Sequence, residues 1–137
     1  MTATFVDTAF LIAVLRKGDG LHERAMAWQN VLTGSLLTTE YVLVEVLDAL
    51  TSPLLRFAAA SSVAVLRQRP VVRIVPASTG LLDEGIEWFT SHRDKRWSLT
   101  DCISFLLMRR EGIRDALTSD HDFEQAGFRA LLRSDPP

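Results

Sequence analysis

Four acidic residues stand where a carboxylate is costly unless something compensates its charge. Asp7 interrupts the largely apolar run FVDTAFL, Glu45 lies inside YVLVEVLDAL, Asp101 follows WSLT, and Asp120 follows ALTS, with Asp122 two residues further on. Gathered at one place, such carboxylates repel by about 4 kcal/mol per pair at roughly 4 Å and an effective dielectric of about 20. A divalent cation removes that penalty. Each acid also has a structural alternative. Ser98, Leu99, Thr100 and Asp101 follow the capping pattern of Ser or Thr three residues before an acid, Asp7 and Asp120 fit helix N-caps, and Glu45 could pair with a base across a helix interface.

The elements that must carry these acids alternate along the chain. Thr4 to Val6 is β-prone, Ala9 to Arg16 is helical, and Gly18 with Gly20 stops it. Leu21, Ala25, Trp28 and Leu32 recur at helical spacing, Ser35 to Thr38 makes a short strand, and residues Glu40 to Leu50 make a helix. Pro53 opens a helix to about Gln68, and Pro70 closes it ahead of the β-branched run VVRIV at 71–75. Leu81 to Phe89 reads as helix, RDKRWS as a polar loop, and Leu99 to Glu111 as a helix ending at Gly112. A strand at 114–118, a short helix stopped at Gly127 and a last strand near Phe128 to Leu132 complete the order. This alternation predicts one α/β domain over residues 1–137, a three-layer α/β/α sandwich around a short, mainly parallel sheet. In such open sheets ligands gather outside the strands' carboxyl ends, where helix N-termini point. Asp7, Asp101 and Asp120 all fall at junctions of that kind.

Composition narrows the class. The 137 residues, 47% hydrophobic and 23% charged, suffice for one packed core and do not suggest disorder. One cysteine, Cys102, allows no internal disulfide and no cysteine cluster for zinc, which fits a cytoplasmic setting. No run is long enough to span a membrane, and no Lys or Arg precedes Asp7 as a secretory signal would require. A formal net charge of −2 lacks the basic excess of a passive nucleic-acid binder.

FVDTAFLIAVL, TEYVLVEVLDAL, WSLTDCISFLLM and LTSDHDFEQAGF, taken in order, resemble the acidic motifs of PIN-domain ribonucleases, particularly the stand-alone VapC-type toxins of toxin-antitoxin pairs. The resemblance spans nearly the whole chain. It maps the family's acids onto Asp7, Glu45, Asp101 and Asp120, with Asp122 able to share or take the last role. It implies metal-dependent endonucleolytic hydrolysis of RNA, leaving 5′-phosphate and 3′-hydroxyl ends. The donor set agrees, since oxygen ligands without His or Cys suit Mg²⁺ or Mn²⁺ and disfavour zinc. Asp7 and Asp101 lead as direct ligands, with Glu45, Asp120 or Asp122 completing the site, orienting water or holding a second ion.

Thr8, Ser98 and Thr118 supply hydroxyls that could fix carboxylate rotamers. Arg93, Lys95 and Arg96, just before the Asp101 helix, could grip an RNA backbone, although a solvated loop explains them equally well. His22, His92 and His121 share no ligand spacing and receive no role. Trp28 and Trp88 fall on apolar helical patterns and read as core, whereas Trp97 could be core or a base-stacking platform. By analogy with the family, the partners are an RNA substrate, a cognate antitoxin and a second copy in a homodimer. Two other classes compete. A haloacid dehalogenase-like phosphatase needs an acid where Ala9 stands, and a receiver domain needs an adjacent acid pair and a late lysine, absent from the expected places. A catalytically silent PIN-like module that binds RNA or protein is the remaining alternative.

Overall fold

The structure is a computed structural model and describes residues 3–137. Five parallel strands form one sheet in the order β3-β2-β1-β4-β5, with β1 at Thr4–Val6, β2 at Leu36–Thr39, β3 at Val72–Val75, β4 at Asp115–Leu117 and β5 at Arg129–Ala130. Among the described residues, seven helices connect them: α1 (Thr8–Leu15), α2 (His22–Val31), α3 (Glu40–Ala49), α4 (Pro53–Gln68), α5 (Thr79–Ser91), α6 (Leu99–Glu111) and α7 (His121–Gln125).

Alternation along the central strands separates two cores. Phe5, Leu37 and Ala116 face a cluster with Val42, Val46, Phe105, Met108 and Phe123 from α3, α6 and α7. Val6 and Leu117, one residue along, face Phe10, Ala13, Ala25 and Trp28 of α1 and α2. The three layers expected from the sequence are therefore present.

Helix α6 lies deepest, with every residue from Asp101 to Met108 buried. Gly85 on α5 makes this packing possible, because a Cβ there would collide with Ile103 of α6. Gly112 ends α6 at φ 69°, a left-handed conformation that glycine adopts without steric cost.

Some boundaries differ from expectation. Helix α5 begins two residues before Leu81, because the Ser78 hydroxyl accepts from the Leu81 amide and caps the first turn. The last strand is confined to Arg129–Ala130. From Leu131 the chain tightens into a 3-10 turn, and the Leu132 amide bonds the Thr118 carbonyl. Among the described residues, no helix is long and apolar enough to cross a membrane.

Candidate metal centre

The sheet order places β1 between β2 and β4, so the chain leaves β1 to one side and returns later to the other. At such a switch point the connections diverge and open a crevice at the carboxyl ends of the strands. Asp7 follows β1 directly, and Asp120 lies three residues after β4. Helix α6 runs down to feed β4, so its first turn, carrying Asp101, begins at the same carboxyl edge. Parallel topology thus brings together acids that are distant in sequence.

Asp101, Asp120 and Asp122 each offer a carboxylate oxygen, and these three atoms lie within 4.8 Å of one another. Asp7 stands next to this tight trio, as the first of the charges that raise the Asp101 carboxyl. The Asp7 side chain, 4% exposed, is held against β4 by the Thr118 hydroxyl, which donates to Asp7 Oδ2 at 2.6 Å. Its other oxygen, Oδ1, is buried without a hydrogen-bond partner. Asp122, left ambiguous by the sequence, joins Asp120 in the trio.

The capping alternatives resolve differently at each acid. Asp7 makes no capping bond to α1, so its carboxylate is not accounted for by helix initiation. At α6, Ser98 Oγ accepts from the Asp101 amide at 3.0 Å, which uses the Asp101 backbone and leaves its carboxylate to the cluster. Asp120 does both tasks, since its Oδ1 accepts from the Asp122 amide at 2.8 Å and caps α7. Glu45 is half-buried, and no basic side chain pairs with it among the described residues.

The electrostatics report one shared site. Burial, reinforced by Asp7, Asp120, Glu45 and Asp122, pushes the Asp101 carboxyl up to about 8. Asp7 rises to about 6, chiefly through burial, with Glu45 and Asp120 adding to it while the Thr118 hydroxyl and the Thr8 backbone oppose it. Asp122 is also raised, first by desolvation and then by Asp120, against His121. Glu45 acts on both Asp7 and Asp101, and Asp120 acts on Asp7, Asp101 and Asp122.

The hydroxyls expected to support the acids divide. Thr118, fully buried, donates to Asp7 and accepts from the Asp120 amide at 3.1 Å, bridging the ends of β1 and β4. Ser98 acts only on the backbone of Asp101, and the buried Thr8 hydroxyl has no hydrogen-bond partner. Arg93, Lys95 and Arg96 are exposed on the loop before α6, where Lys95 Nζ lies 3.3 Å from Asp94. His22 bonds the Ala13 carbonyl, His92 contacts the Trp88 carbonyl and His121 contacts Glu124, so each histidine has a local partner.

Trp28 is core, while Trp88 is only half-buried, with the Arg109 guanidinium 5.4 Å from its ring centre. Trp97 is 7% exposed and packed edge-on against Phe105, so it offers no open face for a base. Gln125, given no role by the sequence, accepts from the Trp97 indole. No local motif marks that contact; only the fold brings the two together.

The residues fit a hard divalent cation. Every donor in the trio is a carboxylate oxygen, the shared charge needs a counterion, and Asp7 Oδ1 is a buried acceptor with nothing to accept from. Cys102, adjacent to Asp101, is buried and its thiol is pushed up by burial and by Asp101, which disfavours a thiolate ligand.

The sequence matches the PIN domain over residues 4–129. It is 33% identical over 124 residues to the 23S rRNA-specific endonuclease VapC20 of Mycobacterium tuberculosis, covering 90% of this chain and 94% of that protein. The crystal structure of VapC20, described as a Sarcin-Ricin loop cleaving toxin, superposes with a TM-score of 0.83 at 32% identity, covering 92% of this chain and 96% of that one. VapBC2 from Rickettsia felis, solved with a DNA fragment from its promoter, shares the fold at a TM-score of 0.63 and 11% identity, over 92% and 94% of the two chains. The chain is a member of the PIN-domain family.

Proposed function

We propose that this protein is a Mg²⁺- or Mn²⁺-dependent endoribonuclease and the toxin of a toxin-antitoxin pair. The observation that carries the reading is the convergence of Asp101, Asp120 and Asp122 at the sheet's switch point, next to the buried Asp7. The similarity to VapC20 supports ribosomal RNA, and 23S rRNA first, as the substrate class. An enzyme acting on that substrate works in the cytoplasm, opposed by a cognate antitoxin and paired with a second copy of itself.

Asp101, Asp120 and Asp122 hold the cation. Asp7 completes the site with its Oδ1, the oxygen left without a hydrogen-bond partner, while Thr118 holds its Oδ2. When bound, the cation supplies charge stabilisation at the scissile phosphate and lowers the pKa of the attacking water. Glu45, without a basic partner, orients that water. Arg93, Lys95 and Arg96 meet the RNA backbone beside the mouth of the site, holding the substrate in place by charge.

The test is cleavage of ribosomal RNA with Mg²⁺ or Mn²⁺, with EDTA, and with Asp7→Asn. Cutting that is lost in both controls supports the reading. RNA binding without turnover in the presence of metal favours the silent module instead.

A further inference from the structure

The acid trio spans two separate elements: Asp101 begins α6, whereas Asp120 and Asp122 begin α7. Like charges drive these two helix starts apart, and α7 has only five residues with which to resist. Among the described residues, one side-chain hydrogen bond joins α6 and its approach to α7, from Trp97 Nε1 to Gln125 Oε1 at 3.1 Å. Trp97 immediately precedes Ser98, the cap that sets the first turn of α6, and Gln125 is the last residue of α7. The indole is itself wedged in place, 5.0 Å and 79° from the Phe105 ring, which meets Phe123 of α7 edge-on at 4.8 Å.

We propose that Trp97 and Gln125 are positioning residues for the metal centre: their hydrogen bond is a strut that holds the α6 and α7 acids at cation-binding separation. Packing of Phe105 on Phe123 sets how closely the helices approach, and the Thr118 hydroxyl and the Arg133–Glu124 ion pair tie α7 to the sheet side, but neither of these polar contacts reaches α6. The hydrogen bond at the far end of α7 supplies that direct tie and so sets where Asp120 and Asp122 stand relative to Asp101. The simpler role, satisfying a buried indole N–H, needs no particular partner, because Gln125 is exposed and water could serve there. This inference rests on the acid trio being the cation site.

The experiment is Mn²⁺ affinity by electron paramagnetic resonance, without RNA, for the unaltered chain, Trp97→Phe, Gln125→Met and the double variant. Circular dichroism controls for folding, and the exposed Gln125→Met carries the test if Trp97→Phe fails to fold. The strut predicts that each single variant weakens binding by on the order of tenfold. It also predicts that the double variant is no weaker than either single one, and that Gln125→Glu, which keeps an acceptor, restores affinity. In the unaltered chain, Mg²⁺ should shift the Trp97 indole N–H resonance. Singles that bind Mn²⁺ like the unaltered chain, or losses that multiply in the double variant, overturn the strut alone. An unaltered chain that binds no Mn²⁺ overturns the metal-site reading beneath it.

Discussion

The Thr118 hydroxyl donates to Asp7 Oδ2 at 2.6 Å, joining residues 111 positions apart across adjacent parallel strands. The same oxygen accepts from the Asp120 amide, so one buried side chain sets both a carboxylate rotamer and the approach of the chain to α7. Thr118→Val keeps the shape and removes both bonds. It should cost about 1–3 kcal/mol of stability and lower RNA cleavage by about tenfold or more. Urea denaturation and initial cleavage rates at saturating Mg²⁺ check both effects.

Asp101→Asn separates function from stability. Removing this charge relieves a buried carboxylate repelled by four neighbouring acids, so the metal-free variant should melt higher than the unaltered chain, by about 3 °C or more at pH 8. Mn²⁺ binding and cleavage should disappear together. Differential scanning calorimetry in EDTA measures the first effect, and a lower melting temperature contradicts it.

Raised carboxyl values fix the sign of the pH response. Between their ordinary value of 3.8 and their folded values, Asp7 and Asp101 hold protons that the unfolded chain has released, so stability falls as pH rises through that window. For Asp7 alone, the rise from 3.8 to about 6 corresponds to about 3 kcal/mol once the carboxylate is fully ionised. With EDTA, these two groups should make the melting temperature decline from pH 5 to pH 8. With excess Mg²⁺ or Mn²⁺ the decline should flatten, and proton release on metal binding should be detectable by calorimetry in buffers of different ionisation enthalpy.

Asp120 and Asp122 differ in what else they do. Asp120→Asn keeps a good N-cap for α7 and removes only charge, whereas Asp120→Ala also loses the cap and should be about 1 kcal/mol less stable than the Asn variant. Asp122→Asn should weaken Mn²⁺ binding without that structural cost. Thermal melts paired with Mn²⁺ titrations distinguish the three variants.

The proposed role of the exposed loop bases, on RNA and not on the ion, is testable by kinetics. Replacing Arg93, Lys95 and Arg96 together with Ala should raise KM for RNA by about tenfold or more, with kcat nearly constant and a shallower dependence on salt. A fall in kcat at unchanged KM would assign them elsewhere.

Local signals made much of this fold legible. Pro53 at the start of α4, and Gly112 at the end of α6, fix helices whose limits agree with those read from the sequence. Ser98 likewise announces the start of α6. The centre was harder to read, because its details depend on contacts between elements. Asp120 looks like a cap and is one, yet it also belongs to the trio. Asp122, which the sequence offered only as able to share or take the last role, is a first-turn residue of α7 that the fold sets against Asp101. Asp7 was legible from its anomalous position in an apolar run, but the Thr118 hydroxyl that holds its carboxylate against β4 comes from 111 residues away. No pattern in the sequence pairs Trp97 with Gln125.

The central claim is that acids from β1, α6 and α7 form one cation site, and the most direct measurement is anomalous scattering from a crystal soaked in Mn²⁺. The account predicts a peak bounded by Asp101, Asp120 and Asp122, with Asp7 Oδ1 facing it directly or through water. A soaked crystal with these carboxylates separated and no manganese among them would contradict it.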